Sequence, residues 1–247
     1  MQHAVIDHHM SRLAYRSGVT LGVTAPRSPG FLLGLGTAFS TGSPHRLAKG
    51  AVIQEVTALH IAIDSSTPSV STHIAALRNL FNGEGEGELG AYFEDVVQGE
   101  LPLVIEVQSA DVMASLINLK KEVEERSGTT LRVTFTGANE AHLLAKEIGE
   151  AGIGVILAPR PFPGSWKSRR MYVLIALFIS EGMLLIFMIT FSLAGPPLTE
   201  NNAASVLLSH NVTVALGIVE QWESRNLRFD VGWVRLSPKI FLSDFLC

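Results

Sequence analysis

The sequence predicts an α/β fold built around a parallel sheet, and two observations carry that prediction. Segments 101–107 (LPLVIEV), 131–137 (LRVTFTG), 154–159 (GVILAP) and 212–219 (VTVALGIV) are apolar over most of their length instead of alternating. Helical segments of 12 to 19 residues separate them. Strands buried on both faces show such continuous apolar runs, and parallel neighbours need crossover connections of this length. The residues therefore fit part of a (β/α)8 barrel or a doubly wound sheet.

The first third of the chain predicts shorter elements. Residues 19–25 form an apolar β-type run before Pro26, which predicts a buried strand. Glycines and prolines punctuate residues 27–50 and predict a loop with short extended pieces, whereas residues 49–64 have β-branched character. The acidic glycine repeat at 83–88 predicts a solvated loop.

Four helices are predicted from the spacing of apolar residues and from capping residues. The first carries Ile74, Leu77 and Leu80 at helical spacing. The second is opened by Ser109, with Asp111 in its first turn. In chain order the predicted helices cover residues 69–81, 109–127, 139–150 and 199–211.

Composition indicates a single globular domain. Hydrophobic residues make up 47% and charged residues 17% of the 247 positions, enough for one large core. The formal net charge is −4 and the basic residues are scattered, so we expect no nucleic-acid partner. The single cysteine, Cys247, excludes an internal disulfide framework.

Several of these segments, taken in order, resemble a known family. The segments are GELPLVIEVQSADVMASLINLKKEVEERSG, TTLRVTFTGANEAHLLAKEIGEAGIGVILAP and LAGPPLTENNAASVLLSHNVTVALGI. They are similar to imidazolonepropionase-like members of the amidohydrolase superfamily, which in fungi are often labelled carbohydrate esterase family 9. The resemblance implies a partial (β/α)8 barrel that lacks its N-terminal strands.

The same resemblance divides the chain. It assigns residues 1–170 and 195–234 to the barrel, with 171–194 as an insert and 235–247 as an irregular tail. The insert is an apolar run of 24 residues whose one charge is Glu181. A run of this length predicts a long apolar helix that could cross a bilayer.

Two interpretations of the insert stay open. Lys167, Arg169 and Arg170 precede it as a cytoplasmic anchor would, which predicts a membrane protein held through residues 171–194. Alternatively, residues 171–192 are translated intron sequence, because their removal restores the continuity seen in the resembling proteins. The protein would then be cytoplasmic.

The resemblance also implies chemistry. A divalent metal, zinc in our expectation, would lower the pKa of a bound water and polarise the scissile carbonyl of a small-molecule substrate. The reaction would be hydrolysis of a non-peptide C–N bond or an ester bond. The sequence has no His-x-His motif, which usually supplies two of the family's ligands. We therefore expect impaired activity, the alternative being a non-catalytic, membrane-anchored barrel remnant or a mis-spliced gene product.

Candidate site residues cluster after the predicted strands. Glu106 ends an apolar strand, where a carboxylate needs a partner or a metal, and Gln108, where many relatives carry histidine, points to the same side. His142 and Glu140 lie in the turn after segment 131–137, where barrel enzymes keep catalytic groups. The predicted metal ligands are Glu106 and His142, and the predicted substrate-binding residues are Gln108, Glu140, Arg160 and Glu220.

Two of these substrate-binding candidates rest on position alone. Arg160 lies in the loop after segment 154–159, and loops of this kind often contact substrate, although surface charge is the simpler explanation. Glu220 follows segment 212–219, where the family has an aspartate. For Glu140 the simpler explanation is stabilisation of a helix N-terminus.

The remaining histidines have simple explanations. His60 fits a satisfied histidine of the core or the barrel rim. His210 fits a helix C-terminal cap. Asp7, His8 and His9 fit a solvated helix start, because adjacent helical residues point in different directions.

Overall fold

The computed structural model describes residues 8–63, 69–158, 179–180, 183–184, 203–218 and 221–228. Its strands are β1 Leu21–Val23, β2 Leu32–Leu35, β3 Ala38–Ser40, β4 Val52–Gln54, β5 Leu59–Ala62, β6 Leu103–Val107, β7 Val133–Gly137, β8 Gly154–Leu157, β9 Ile179–Ser180, β10 Met183–Leu184 and β11 Val214–Leu216. Its helices are α1 His8–Arg16, α2 Val70–Phe81, α3 Gly87–Val97, α4 Ala110–Ser127, α5 Ala145–Glu150 and α6 Ala203–Ser209. Two 3-10 segments cover Ala141–Leu144 and Gln221–Asn226.

A six-stranded sheet forms the centre of the fold. Its strand order is β11-β8-β7-β6-β5-β2. The five strands from β5 to β11 are parallel to their neighbours, and β2 pairs with β5 in the antiparallel direction. The predicted α/β class with a parallel sheet is confirmed. Within the described residues β2 and β11 are the two ends of this sheet, so this part of it is open.

One face of the sheet packs against helices. Side chains alternate along each strand, so every second residue points to that face. On β6, Leu103, Ile105 and Val107 are buried in the core, as are Val133 and Phe135 on β7. Helices α2, α3, α4 and α5 supply the other side of this core. The buried face fixes which residues remain on the opposite face.

Helix capping follows the sequence at α2 and differs elsewhere. Ser69 caps α2, and its hydroxyl accepts a hydrogen bond from the Thr72 N–H at 3.4 Å. The predicted loop 83–88 is wrong at its end, because α3 begins at Gly87. Phe93 and Val96 of α3 are buried in the core. This burial stabilises a helix that the glycine repeat at its start does not predict.

The prediction that residues 19–25 form a buried strand is also wrong in part. β1 lies there, but it joins a separate antiparallel sheet of order β1-β3-β4. Leu21 and Val23 are exposed, at 49% and 54% of their full area. A small three-stranded sheet cannot bury both faces of an edge strand.

The insert 171–194 lies outside the described residues except at four positions. These form β9 and β10, which pair in the antiparallel direction. At these positions the backbone is extended, so the predicted continuous helix is not found there. In the part of the chain that the structure describes, no helix has the length and apolar character needed to cross a bilayer. The tail 235–247 lies outside the described residues, and the proposed division of the chain stays a prediction.

Candidate functional site

The face of the large sheet opposite the helices carries Glu106 near its carboxyl end, whereas Val104 and His60 on the same face are buried. Glu106 is exposed, whereas its neighbours Ile105 and Val107 are buried in the core. In the sheet register Glu106 stands beside Ala62 of β5 and Thr136 of β7. It therefore lies near the carboxyl end of a central parallel strand, the edge where parallel α/β proteins bind ligands.

Thr134 and Thr136 lie on this face of the next strand. Both are half-buried, while the alternate residues Val133 and Phe135 point into the core. Neither threonine was predicted as a site residue. Their place on the face opposite the core could have been predicted, because VTFT alternates apolar and polar residues at the period of a strand.

Gln108 lies just beyond β6 and against the neighbouring strand. A Cβ atom added at Gly137 would collide with the side-chain amide of Gln108. Gly137 also has a φ of +79°, a conformation that favours glycine. The Gln108 Oε1 atom is buried without a hydrogen-bond partner among the described residues. Glycine at position 137 thus makes room for the Gln108 amide.

Glu140 connects the two loops that follow β6 and β7. Its Oε2 atom accepts a hydrogen bond from the Ala110 N–H at 3.0 Å, at the first residue of α4. Its own N–H donates to the Gln108 carbonyl oxygen at 3.2 Å. Ser109 makes no side-chain capping bond. Glu140 therefore stabilises a helix N-terminus, as the simpler explanation held, but it is the N-terminus of the neighbouring helix α4.

The loop after β7 also contains backbone strain. Ala138 has a φ of 43°, in the left-handed region that alanine rarely adopts. The Ala138 N–H donates to the Val107 carbonyl oxygen at 2.8 Å, which holds this conformation in place. Strained residues of this kind cluster at functional sites, so the loop is a candidate site on conformational grounds.

The predicted metal ligands do not form a complete site here. His142 is half-buried in the 3-10 segment Ala141–Leu144, and Glu106 is exposed on the sheet. Across the described ranges, no group of three histidine, cysteine, aspartate or glutamate side chains is placed to hold a metal ion. The described donors therefore do not make up a three-ligand metal site by themselves, and the ligand roles of Glu106 and His142 stay predictions.

His60 belongs to the interior. It is 7% exposed, and it stands beside Val104 in the sheet register. Burial lowers the pKa of its imidazole from 6.5 to about 4, because the charged form loses its hydration. The ring is therefore neutral at neutral pH. His60 is buried as predicted, but the prediction of a satisfied ring is not met, because its Nε2 atom has no hydrogen-bond partner among the described residues.

His210 follows α6 and closes its end. Its Nδ1 atom lies 2.9 Å from the Val206 carbonyl oxygen. Asn211 follows with a φ of 61°, the left-handed conformation often found after helices. The explanation of His210 as a helix C-terminal cap is confirmed.

Several candidates lie outside the described residues. They are Asp7, Arg160 and Glu220, together with Lys167, Arg169, Arg170 and Glu181. His8 and His9 begin α1, as a helix start predicts. The roles given to Arg160 and Glu220 stay predictions.

Comparison with known proteins points to amidohydrolases. No protein-family model matches the chain. The amidohydrolase tasK of Hapsidospora irregularis is 26% identical over an alignment of 268 positions, which covers 90% of this chain and 25% of that protein. The crystal structure of an amidohydrolase from Thermotoga maritima MSB8 matches with a TM-score of 0.68 at 15% identity, covering 96% of this chain and 60% of that one.

The chain is thus similar in sequence to one protein named as an amidohydrolase and similar in fold to another. At 15% identity the structural match shows the fold alone. The chain spans a quarter of the length of tasK and three fifths of the Thermotoga protein. The imidazolonepropionase-like subgroup stays a prediction.

Removing the Glu140 carboxylate should destabilise the N-terminus of α4. We expect Glu140→Ala to lower the free energy of unfolding by about 0.5–2 kcal/mol, the usual loss for a helix N-terminal cap. Glu140→Gln keeps an acceptor oxygen and should lose less. Urea denaturation measures both, with Glu147→Ala as the control because Glu147 is an exposed carboxylate of α5. Equal stability of Glu140→Ala and the wild type would contradict the capping role.

His60 should make the folded state sensitive to acid. Its pKa is about 4 in the folded state and 6.5 when unfolded, so between these values the unfolded chain binds the proton more tightly. The contribution is unchanged above pH 6.5, and stability falls by about 3 kcal/mol as the pH drops to 4.

The difference in unfolding free energy between wild type and His60→Gln, measured from pH 7 to 4, isolates this effect. His45→Gln controls for the exchange itself, because His45 is exposed. A constant difference across that range would show that His60 is not the group responsible.

Proposed function

We propose that this chain forms part of an amidohydrolase-like hydrolase that acts on a non-peptide C–N bond or an ester bond of a small molecule. The observation that carries the proposal is the exposed carboxylate of Glu106 near the carboxyl end of a central parallel strand. The sequence likeness to tasK supports the reaction class. The resemblance to imidazolonepropionase-like and carbohydrate esterase family 9 proteins supports the finer subgroup.

Glu106 is the residue best placed for proton transfer. Its side chain is exposed, and its carboxylate makes no hydrogen bond to another described residue, although its backbone carbonyl accepts from the Ile63 N–H. A carboxylate in that state can accept a proton from a water molecule that attacks a carbonyl carbon. Thr136, beside it in the register, offers a hydroxyl that can hydrogen-bond the substrate.

Gln108 and Glu140 lie in the loops after β6 and β7, at the carboxyl end of this face. Gln108 supplies an amide at the end of β6, and it lies against Gly137. Glu140 fixes the Gln108 backbone through its N–H and fixes α4 through its carboxylate. We propose that Gln108 contacts substrate and that Glu140 orients the loop which carries it.

Zinc is the divalent metal that the family resemblance implies. The described donors do not fit a complete site, so a zinc ion would need ligands from elsewhere in the protein. Among the described residues, we propose His142 and Glu106 as donors that would contribute to such a site.

A non-catalytic barrel segment is the second candidate. It is favoured by the shortage of metal donors in the described residues and by the missing His-x-His motif. On this alternative the exposed face binds a ligand or another part of the protein without chemistry. The two candidates differ in one measurable property, which is turnover.

Replacing Glu106 should abolish turnover while preserving the fold. The purified chain is assayed on a panel of N-acyl amines, cyclic amides and aryl esters, with and without added zinc. Loss of a general base typically costs about 10²- to 10⁴-fold in rate, and we expect Glu106→Gln to lose activity by that factor. Glu125→Gln, an exposed carboxylate on α4, should retain full activity.

Two outcomes would count against the proposal. Equal activity of Glu106→Gln and wild type would remove Glu106 from the reaction. A folded wild-type chain that turns over no member of the panel would favour the non-catalytic candidate.

A further inference from the structure

The C-terminal end of α2 carries the one Asn-Gly pair of the sequence, Asn82 followed by Gly83. Both residues are exposed. Asparagine is a chemically labile residue, and it deamidates most readily before glycine. The reason is that glycine has no side chain to shield its backbone nitrogen from the asparagine side chain. The pair is therefore a candidate for spontaneous chemical modification.

Deamidation joins the backbone to the asparagine side chain. The Gly83 nitrogen loses its proton to solvent base and attacks the Asn82 Cγ atom. A bond forms between these two atoms, the Cγ–Nδ2 bond breaks, and the amide nitrogen takes up protons from water and leaves as ammonia. Water then opens the resulting five-membered imide at either of its carbonyl carbons. The products are aspartate or isoaspartate at position 82, and the net change is uptake of water and release of ammonia.

Two backbone hydrogen bonds oppose this attack in the folded chain. The Gly83 N–H donates to the Leu80 carbonyl oxygen, and the Glu84 N–H donates to the Asn79 carbonyl oxygen, each at 3.1 Å. Together they form the Schellman motif that ends many helices, with Gly83 in the left-handed conformation at a φ of 84°. The attacking nitrogen is thus engaged as a donor, and this bond must break before it can react.

Arg126 of α4 holds the other reacting group. Its Nη1 atom donates to the Asn82 Oδ1 atom, and its Nη2 atom donates to the Phe81 carbonyl oxygen at 3.1 Å. One guanidinium therefore fixes both the asparagine side chain and the last residue of α2. The Asn82 backbone is helical, with a φ of −84° and a ψ of −1°. In this conformation the Gly83 nitrogen is turned away from the Asn82 Cγ atom, so ring closure requires the turn to open.

We propose that Asn82 is a deamidation site whose conversion is limited by opening of the last turn of α2, and that Arg126 keeps this turn closed. Helix ends open locally at a lower free energy than the whole fold, so the reaction does not need global unfolding. Conversion places a negative charge at a helix C-terminus, where the helix dipole disfavours it. The isoaspartate product also adds a carbon atom to the backbone, which displaces the Gly83 N–H from its partner.

The rate of conversion in the folded and the unfolded chain tests this gating. Both are incubated at mildly alkaline pH, one in buffer and one in guanidinium chloride, and isoaspartate at position 82 is measured by peptide mass spectrometry. Opening breaks two backbone hydrogen bonds, so the folded chain should convert about ten- to hundredfold more slowly. The same opening releases the Gly83 amide, so its hydrogen-exchange protection factor should equal this slowing factor.

Two results of that comparison would overturn the proposal. The first is conversion of the folded chain at the unfolded rate, because the motif would then give no protection. The second is a slowing factor unlike the Gly83 protection factor, including complete resistance to conversion while that amide exchanges. The variant Asn82→Ser should remove the isoaspartate signal, and a signal that persists would place the modification elsewhere.

A matched pair of variants tests the role of Arg126. Arg126→Gln removes the guanidinium and should raise the rate in the folded chain about three- to tenfold, with no change in denaturant. Lys121→Gln makes the same change of charge at another exposed position of α4 and should convert at the wild-type rate. An unchanged or lower rate in Arg126→Gln would show that the guanidinium does not restrain the reaction, and it would overturn the role given to Arg126.

Discussion

The alternation of side chains along the parallel strands is the constraint on which this structure depends. Leu103, Ile105 and Val107 must face the helices, because together with Phe135 they build the core. The intervening positions are thereby assigned to the opposite face, where Glu106 is exposed. A shift of one residue in the register would exchange the two sets, so packing energy and the location of the candidate site have a common cause.

The loops beyond β6 and β7 act as one unit for a related reason. Glu140 belongs to the second loop, yet it caps α4 and binds the Gln108 carbonyl of the first loop. Ala138 is held in a left-handed conformation by its bond to Val107. Neighbouring parallel strands end at the same edge, and this places the two loops close enough to share hydrogen bonds. The candidate site is therefore organised by contacts that are distant in sequence.

The sequence could predict the features that depend on local pattern. Apolar runs identified β6, β7, β8 and β11, and the helical spacing of Ile74, Leu77 and Leu80 identified α2. It could not predict α3, whose helix is stabilised by the burial of Phe93 and Val96 in a core made by other elements. Glu106 was found because a carboxylate in an apolar strand is unusual. Glu140 was expected to stabilise the N-terminus of the helix predicted over residues 139–150, but its carboxylate caps α4. Only the pairing of neighbouring strands brings Glu140 close to Ala110, so the sequence alone does not predict this contact.

Amide hydrogen exchange across the large sheet tests the central claim most directly, because the claim requires β5, β6, β7, β8 and β11 to behave as one cooperative unit. The account predicts that amides in the central strands β6 and β7 exchange slowest and that the slowest amides of the other three strands open in the same cooperative event. Exchange of β8 and β11 through a separate, much faster opening would contradict it. The shared face that carries Glu106 would then not be a single rigid surface.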